Sequence, residues 1–423
     1  MMNLFDYKEN IIMSSKKIIK VSEYYRSPTP LEENEKFTIE ELKILESQQF
    51  SHKIQIISRY TGEQIIQTQE YVGYIILPSH IISIVPKIPQ ISFINMLRYA
   101  IGLAKLTPDE YSDIIEEKNY YDILVRFLFI EIEKLLYQGL NSGYKIHEDN
   151  LSCIRGKILF KEHLNQNYNR NDKIFCSYSE LTTDILENRI IKYTLSYLSQ
   201  CYFLDERINS KLLNYYNRLD LINLISFSLD SFPLIEYTPL NQHYRPILAL
   251  CEILLRDSSL NEETTGEGKI AISFLVDMNV LFEKFVVNLL RKKMENYSQL
   301  EIEEQKKEYA DIFRKLGLDL DIVITYDKKP ILILDTKYKE FKDKPDRDDF
   351  AQIITYSNST GVKNSGLIYP GNKEEYYYQL HQDIKLNILF LDLQASNKNE
   401  FENKCTNFIT SINSLIQSLI SNK

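Results

Sequence analysis

Cysteine is scarce in this chain, and its five residues (Cys153, Cys176, Cys201, Cys251 and Cys405) form no CxxC pair and have no histidine cluster beside them. A disulfide framework and a zinc site are thereby disfavoured, and a reducing cytoplasm is the expected setting. Long uninterrupted apolar runs are also missing. The most apolar helix candidate, Tyr120 to Leu136, is broken by Asp122, Arg126, Glu131 and Glu133, too much charge for a bilayer. No charged leader followed by an apolar stretch opens the chain, so a soluble protein is expected. There is no Walker A pattern, so any nucleotide hydrolysis must come from another polypeptide. Nor is there an excess of positive charge, because the formal net charge is -9. A stand-alone nucleic-acid binder usually shows the opposite. Either a local basic surface or a partner would have to supply the grip on a polyanion.

What is present suffices for folding. The 423 residues are 44% hydrophobic and 26% charged, enough for two or three domains with proper cores. The expected fold class is a mixed α+β and α/β multidomain protein. Residues 1–35, ending in Ser27-Pro-Thr-Pro30, read as a flexible lead-in. Residues 36–100 read as a β-rich module, with strands at Lys53–Arg59, Gln64–Gln69, Tyr71–Leu77 and Ile81–Val85 between turn signals. Residues 101–265 read as mainly helical. Thr107-Pro-Asp-Glu110 is a capping-box start, and apolar periodicity supports helices near 120–139, 185–203, 208–225 and 245–257, with a β interruption at 144–160. Residues 266–423 read as an α/β unit. It would hold a helix from Met278 to Lys293, a hairpin, a helix at Arg347–Ser357, strands at Gly366–Tyr369 and Leu386–Leu393, and a last helix striped by Phe408, Ile412, Leu415 and Leu419.

The hairpin carries the chemistry. Leu320 to Lys337 reads as two apolar strands around a polar turn, and the second strand ends in Asp-Thr-Lys. Asp335 and Lys337 are two residues apart and leave the same face of a strand. With Asp327, Lys328 and Lys329 as the loop, Asp321 falls opposite Asp335, and Val323 opposite Ile333. Two acids and an ammonium then gather at a sheet end, where an apolar strand has no use for them. Taken alone, charges at strand ends are common and often only cap turns. Asp319 shares a face with Asp321, so spacing leaves open which acid leads.

Two further segments add to this group. On the helix from Met278, Glu283 lies among Val286, Val287 and Leu290, off the polar face of Lys284, Asn288, Arg291 and Lys292. A carboxylate in such a stripe must be paired, protonated, bound to a cation or able to reach water at the edge. Gln352 and Tyr356 sit at i and i+4 of the following helix, a pair able to donate to phosphate oxygens or stack on a base, or simply to face solvent. Lys337, Lys339, Lys342 and Lys344 follow the acid pair, either as phosphate contacts or as a solvated loop. Hard oxygen donors beside a lysine suit Mg²⁺-dependent phosphodiester hydrolysis.

In order and spacing, Glu283, Asp321, Asp335-Thr-Lys337 and the Gln352/Tyr356 pair resemble the PD-(D/E)XK nuclease core. More narrowly, the chain resembles McrC, the nuclease subunit of McrBC modification-dependent restriction systems. The shared segments are Gly73-Tyr-Ile with Pro86-Lys-Ile88, Ile154-Arg-Gly-Lys-Ile158, Glu187-Asn-Arg-Ile190, Asp277-Met-Asn-Val-Leu-Phe-Glu283, Asp321-Ile-Val-Ile324 and Asp335-Thr-Lys-Tyr338. The family's proline before the first acid is Leu320 here. The resemblance implies that Asp321 and Asp335 bind Mg²⁺, that Glu283 and the Thr336 carbonyl assist, and that Lys337 is the catalytic lysine. Gln352, Tyr356 and Lys339 would touch DNA. It further implies an N-terminal part docked on a GTP-hydrolysing AAA+ ring that recognises modified double-stranded DNA, with no nucleotide held by this chain. Two other functions fit the same sequence: a non-catalytic adaptor that stimulates the ring, and an end-dependent repair nuclease of the same superfamily.

Overall fold

The computed structural model describes residues 16–27, 30–103, 106–115, 120–199, 206–225, 229–256, 259–265, 269–294, 299–309 and 315–421. The expected lead-in over residues 1–15 and the prolyl pair's Pro28 lie outside them. Strands in chain order are β1 (Lys17–Ser22), β2 (Ile54–Ser58), β3 (Gln64–Thr68), β4 (Tyr71–Ile76), β5 (His80–Val85), β6 (Gly143–Leu151), β7 (Lys157–Ile158), β8 (Ile174–Thr182), β9 (Ser259–Thr265), β10 (Lys269–Asp277), β11 (Leu300–Tyr309), β12 (Gly317–Tyr326), β13 (Lys329–Thr336), β14 (Asn364–Pro370), β15 (Tyr376–Gln379) and β16 (Lys385–Leu391). The chain forms two compact units, residues 1–126 with 253–423, and residues 127–252. The mixed α/β class expected from the sequence is what the structure has.

The first unit holds two sheets and a hairpin. One sheet runs β1-β5-β4-β10-β9, with β1 parallel to β5 and β10 antiparallel to β4. Two sequence readings change here. Lys17–Ser22, expected in a flexible lead-in, is an ordered strand, because Ile19 and Val21 alternate into the apolar core. And β10, from the chain's later half, is a full neighbour of β4, so early and late segments share one sheet. Asp277 ends β10, and the helix Met278–Met294 begins at the next residue. The helix Gln90–Ala100, not expected from the sequence, packs along it, and Asn288 Nδ2 donates to the Ala100 carbonyl at 2.9 Å.

The second sheet runs β11-β12-β13-β14-β16-β15. The apolar run Pro330–Leu334 suits a central strand covered on both faces, and residues 331–336 of β13 are all buried. β13, β14 and β16 are parallel, with the helix Arg347–Thr360 as the crossover between β13 and β14. On one face Val323, Ile333 and Leu367 pack with Ile353 and Tyr356 of that helix. Alternation turns Ile322, Ile324, Leu332 and Leu334 to the other face. There the helices Met278–Met294 and Lys398–Ser421 meet, with Phe285 and Phe401 ring centroids 5.8 Å apart. The last helix buries Phe401, Cys405, Phe408, Ile412 and Ile416, while Leu415 and Leu419 of the expected stripe are only partly covered.

The second unit contains helices Leu186–Ser199 and Glu206–Asn217 and a sheet of order β6-β8-β7. The second helix ends at Asn217, short of the expected 225. Gly156, in the turn before β7, has φ +68°, and a Cβ there would lie 2.3 Å from the Ser177 carbonyl oxygen. Only glycine fits that turn. Gly156→Ala is expected to destabilise the protein by about 1–3 kcal/mol, measured as a lower urea midpoint with an unchanged slope. Wild-type stability would show that the turn relaxes instead.

Candidate active site

The hairpin between β12 and β13 sets the site. Its turn is two residues, Asp327 and Lys328, both with positive φ (48° and 63°), the type I′ geometry that matches strand twist. This differs from the three-residue loop read from the sequence. An irregularity between Ile324 and Thr325 absorbs the difference, so Val323 still faces Ile333 and Ile322 faces Leu334. One step further along that register, Asp321 and Asp335 lie across from each other.

Asp335 is fully buried, and among the described residues neither carboxylate oxygen has a well-aligned hydrogen bond. Lys337 Nζ is 2.8 Å from Asp335 Oδ2, close enough for an ion pair although off hydrogen-bond alignment. Asp321 Oδ2 instead accepts from the Thr336 backbone N–H at 3.0 Å. Burial, and then the Asp321 charge, pushes the Asp335 carboxyl up to about 7, against the pull of Lys337. Asp321 is likewise raised, burial being the largest cause. Glu283 is pushed up to about 7 by burial and then by Asp321. It accepts a long bond from Gln305 Nε2, at 3.3 Å. Three acids raised together by burial and mutual repulsion are short of positive charge.

The lysine is held from the neighbouring helix. Lys337 Nζ donates to Gln352 Oε1 at 3.0 Å, Gln352 Nε2 donates to the Tyr356 hydroxyl at 2.6 Å, and that hydroxyl donates to the Asp319 carbonyl at 2.7 Å. The helical i, i+4 pair expected from the sequence is therefore a chain of donors that orients the ammonium. Asp319 itself is exposed and contributes its backbone carbonyl, so Asp321 is the acid that faces Asp335. Lys339, expected to face a phosphate, has its ammonium within 2.7 Å of Asp346 and 2.8 Å of Asp349. Asp349 is buried and also accepts from the Tyr369 hydroxyl at 3.0 Å. Sequence reasoning missed Asp349; its only signal was its place in the first turn of a helix.

A cleft is lined by Tyr24, Asn279, Glu283, Asp321, Thr336 and Lys337, together with Tyr338 and Lys339. A second opening reaches Asp321 from the side of Asp319, Gln352 and Tyr356. Among the described residues no group of three or more His, Cys, Asp or Glu is placed to hold a metal ion by itself. The Asp321/Asp335 pair is nonetheless a hard-oxygen donor set, Asp335 Oδ1 being buried with no partner among the described residues, and the open cleft leaves room for water and a phosphate. That donor set fits a divalent cation that keeps part of its hydration. Glu283 stands within electrostatic range of Asp321 on the cleft wall.

The N-terminal segment reaches this cleft as well, which the sequence did not foretell. Glu23 follows β1 and is buried. Its Oε1 accepts from the Lys87 backbone N–H at 2.7 Å and from the Tyr338 hydroxyl at 2.8 Å. Burial raises Glu23 to about 7.

Residues 66–370 match the family described as McrBC 5-methylcytosine restriction system component. The chain belongs to that family. The resemblance to McrC drawn from the sequence is borne out by this match. The McrBC span takes in every residue of the acid–lysine group, whereas Glu23 and Tyr24 precede it. Among characterised relatives, the chain is 24% identical over 263 residues to the type IV methyl-directed restriction enzyme EcoKMcrBC of Escherichia coli K12. That alignment covers 60% of this chain and 74% of the relative. Among solved structures, it is similar to a chain of the half-complex of Thermococcus gammatolerans McrB AAA+ hexamers with bound McrC. The TM-score is 0.54 at 19% identity, over 94% of this chain and 100% of the other. At that identity the likeness establishes a shared fold. Among the described residues no helix is long and apolar enough to cross a membrane.

Proposed function

We propose that this chain is the DNA-cutting subunit of an McrBC-like restriction system, a metal-dependent endonuclease with a PD-(D/E)XK core that acts on modified double-stranded DNA in the cytoplasm. The observation that carries the reading is the buried Asp335, opposite Asp321 and 2.8 Å from the Lys337 ammonium, in a chain of this family. A GTP-hydrolysing AAA+ ring is the proposed partner. The Thermococcus assembly contains McrB AAA+ hexamers with bound McrC, and the acidic net charge of -9 suits a subunit that relies on a partner to grip DNA.

Mg²⁺ is the proposed cofactor, held by Asp321, Asp335 and the Thr336 carbonyl with Glu283 assisting; it would supply an activated water and offset charge on the phosphate. Asp321 is fixed by the Thr336 N–H, which would orient its carboxylate as a ligand. Lys337, steered by Gln352 and Tyr356, offers its ammonium where negative charge develops on the phosphate oxygens. Burial excludes competing donors from Asp335 and strengthens each of these interactions.

The site assignment separates two neighbouring acids. With partner, GTP and Mg²⁺, Asp321→Asn is expected to lose cleavage of closed circular 5-methylcytosine DNA by about a hundredfold or more. Asp319→Asn is expected to stay within a few-fold of wild type. The reverse order of effects would move the leading acid to Asp319. A wild-type protein that cuts only linear DNA would replace the restriction reading with an end-dependent one.

A further inference from the structure

We propose that Tyr24, from the segment after the first strand, is part of the active site and donates its phenolic proton to a non-bridging oxygen of the phosphate being cut. The inference rests on the endonuclease reading above and names a substrate contact within it.

The first support is position. Tyr24 lines the same cleft as Glu283, Asp321, Thr336 and Lys337, though it comes from the turn after β1 and precedes the stretch that matches the family. The second is how firmly it is placed. Its φ is +47°, a left-handed conformation costly for a bulky aromatic residue and kept only where the surroundings impose it. The surroundings do so on both sides. The Tyr24 N–H donates to the Gln69 carbonyl at 2.9 Å, and Glu23 before it is tied to Lys87 and Tyr338. Tyr338 directly follows Lys337, so a single carboxylate joins the Tyr24 turn to the strand end that presents the lysine.

The third support is the supply of donors. A phosphodiester bound here needs hydrogen-bond donors, and the ionised acids on the wall have none to give. The Tyr338 hydroxyl is committed to Glu23 and Lys339 to Asp346 and Asp349, so the Lys337 ammonium would share the phosphate with a further donor on the cleft wall. Tyr24 hydrogen-bonds with the Asn279 side chain, and burial with Glu70, Glu23 and Asp277 nearby holds its phenol protonated far above neutrality. A phenol has one donor and two acceptor positions, so it can receive the Asn279 amide and still offer its proton to a phosphate.

The test uses the full chain with its AAA+ partner, GTP, Mg²⁺ and a closed circular plasmid methylated at cytosine C5. Tyr24→Phe is expected to slow single-turnover cleavage by roughly tenfold or more with an unchanged melting midpoint. Asn279→Ala removes the same internal hydrogen bond but leaves the donor, and is expected to fall by less. Tyr377→Phe, on the outer strand β15, serves as the control for a lost phenol and is expected to cut like wild type. Wild-type cleavage by Tyr24→Phe, or equal losses in Tyr24→Phe and Asn279→Ala, overturns the proposal while the endonuclease reading stands. Undiminished cleavage by Asp335→Ala in the same assay overturns both.

Discussion

Asp335→Asn is expected to leave a folded and more stable protein that no longer cuts DNA. The carboxyl is fully buried beside Asp321 and is raised to about 7, with burial the largest cause. Between the ordinary aspartate range near about 4 and that raised value, the folded state keeps a proton that the unfolded chain has released. Stability therefore falls as pH rises through that window and levels off above it. Glu283, also raised to about 7, contributes with the same sign. An amide cannot ionise, so Asp335→Asn is expected to gain on the order of a few kcal/mol near about pH 8 in metal-free buffer, and much less near about pH 5. Urea unfolding at the two pH values measures the difference; equal gains at both would contradict the linkage. Cleavage is expected below about a thousandth of wild type. Added Mg²⁺ is expected to raise the wild-type midpoint and not that of the variant, since only a ligand bound to the native site stabilises it. Such a site trades stability for function.

Lys337→Met should separate charge from shape, because methionine keeps the length of the stem and loses the ammonium. Cleavage is expected to drop by about 10²- to 10³-fold, with kcat taking most of the loss. The effect on stability is expected to have the opposite sign to that of Asp335→Asn. Removing the cation 2.8 Å from Asp335 leaves that acid more repelled by Asp321, so its titration moves upward and the protein weakens above neutral pH. Carboxyl titration followed by NMR in metal-free buffer would detect the move, and an Asp335 titration that stayed in place would show that the lysine does not act through it. Retained cleavage would leave the ammonium without its proposed part in the chemistry.

The sequence carried the site further than it carried the sheets. Period-two alternation in two apolar strands was enough to set Asp321 against Asp335, and the register held even though the loop is one residue shorter than read, because an irregularity at Ile324/Thr325 compensates. Helical period placed Glu283 off the polar face of its helix. Gln352 and Tyr356 were singled out correctly as neighbours, but their roles depend on which atoms lie across the groove, and spacing along one helix cannot supply that. Lys339 shows the same limit, since Asp349 becomes its partner only when the crossover helix folds back. The first sheet was the least legible. Lys17–Ser22 has just two core positions and finds its partner in β5, and β10 meets β4 about two hundred residues earlier in the chain. Pairings at such separation leave no mark in a local window.

The junction at Asp277 has a consequence for how relatives can exchange parts. A crossover placed near residue 266, where composition suggests a new module, would sever β10 from β4 and separate Glu23 from Tyr338. A hybrid built there inherits an exposed strand edge in one parent's half and an orphaned acid in the other. Compatible grafts would therefore have to carry the first strands together with the catalytic hairpin, as one inherited block drawn from two distant stretches of the gene.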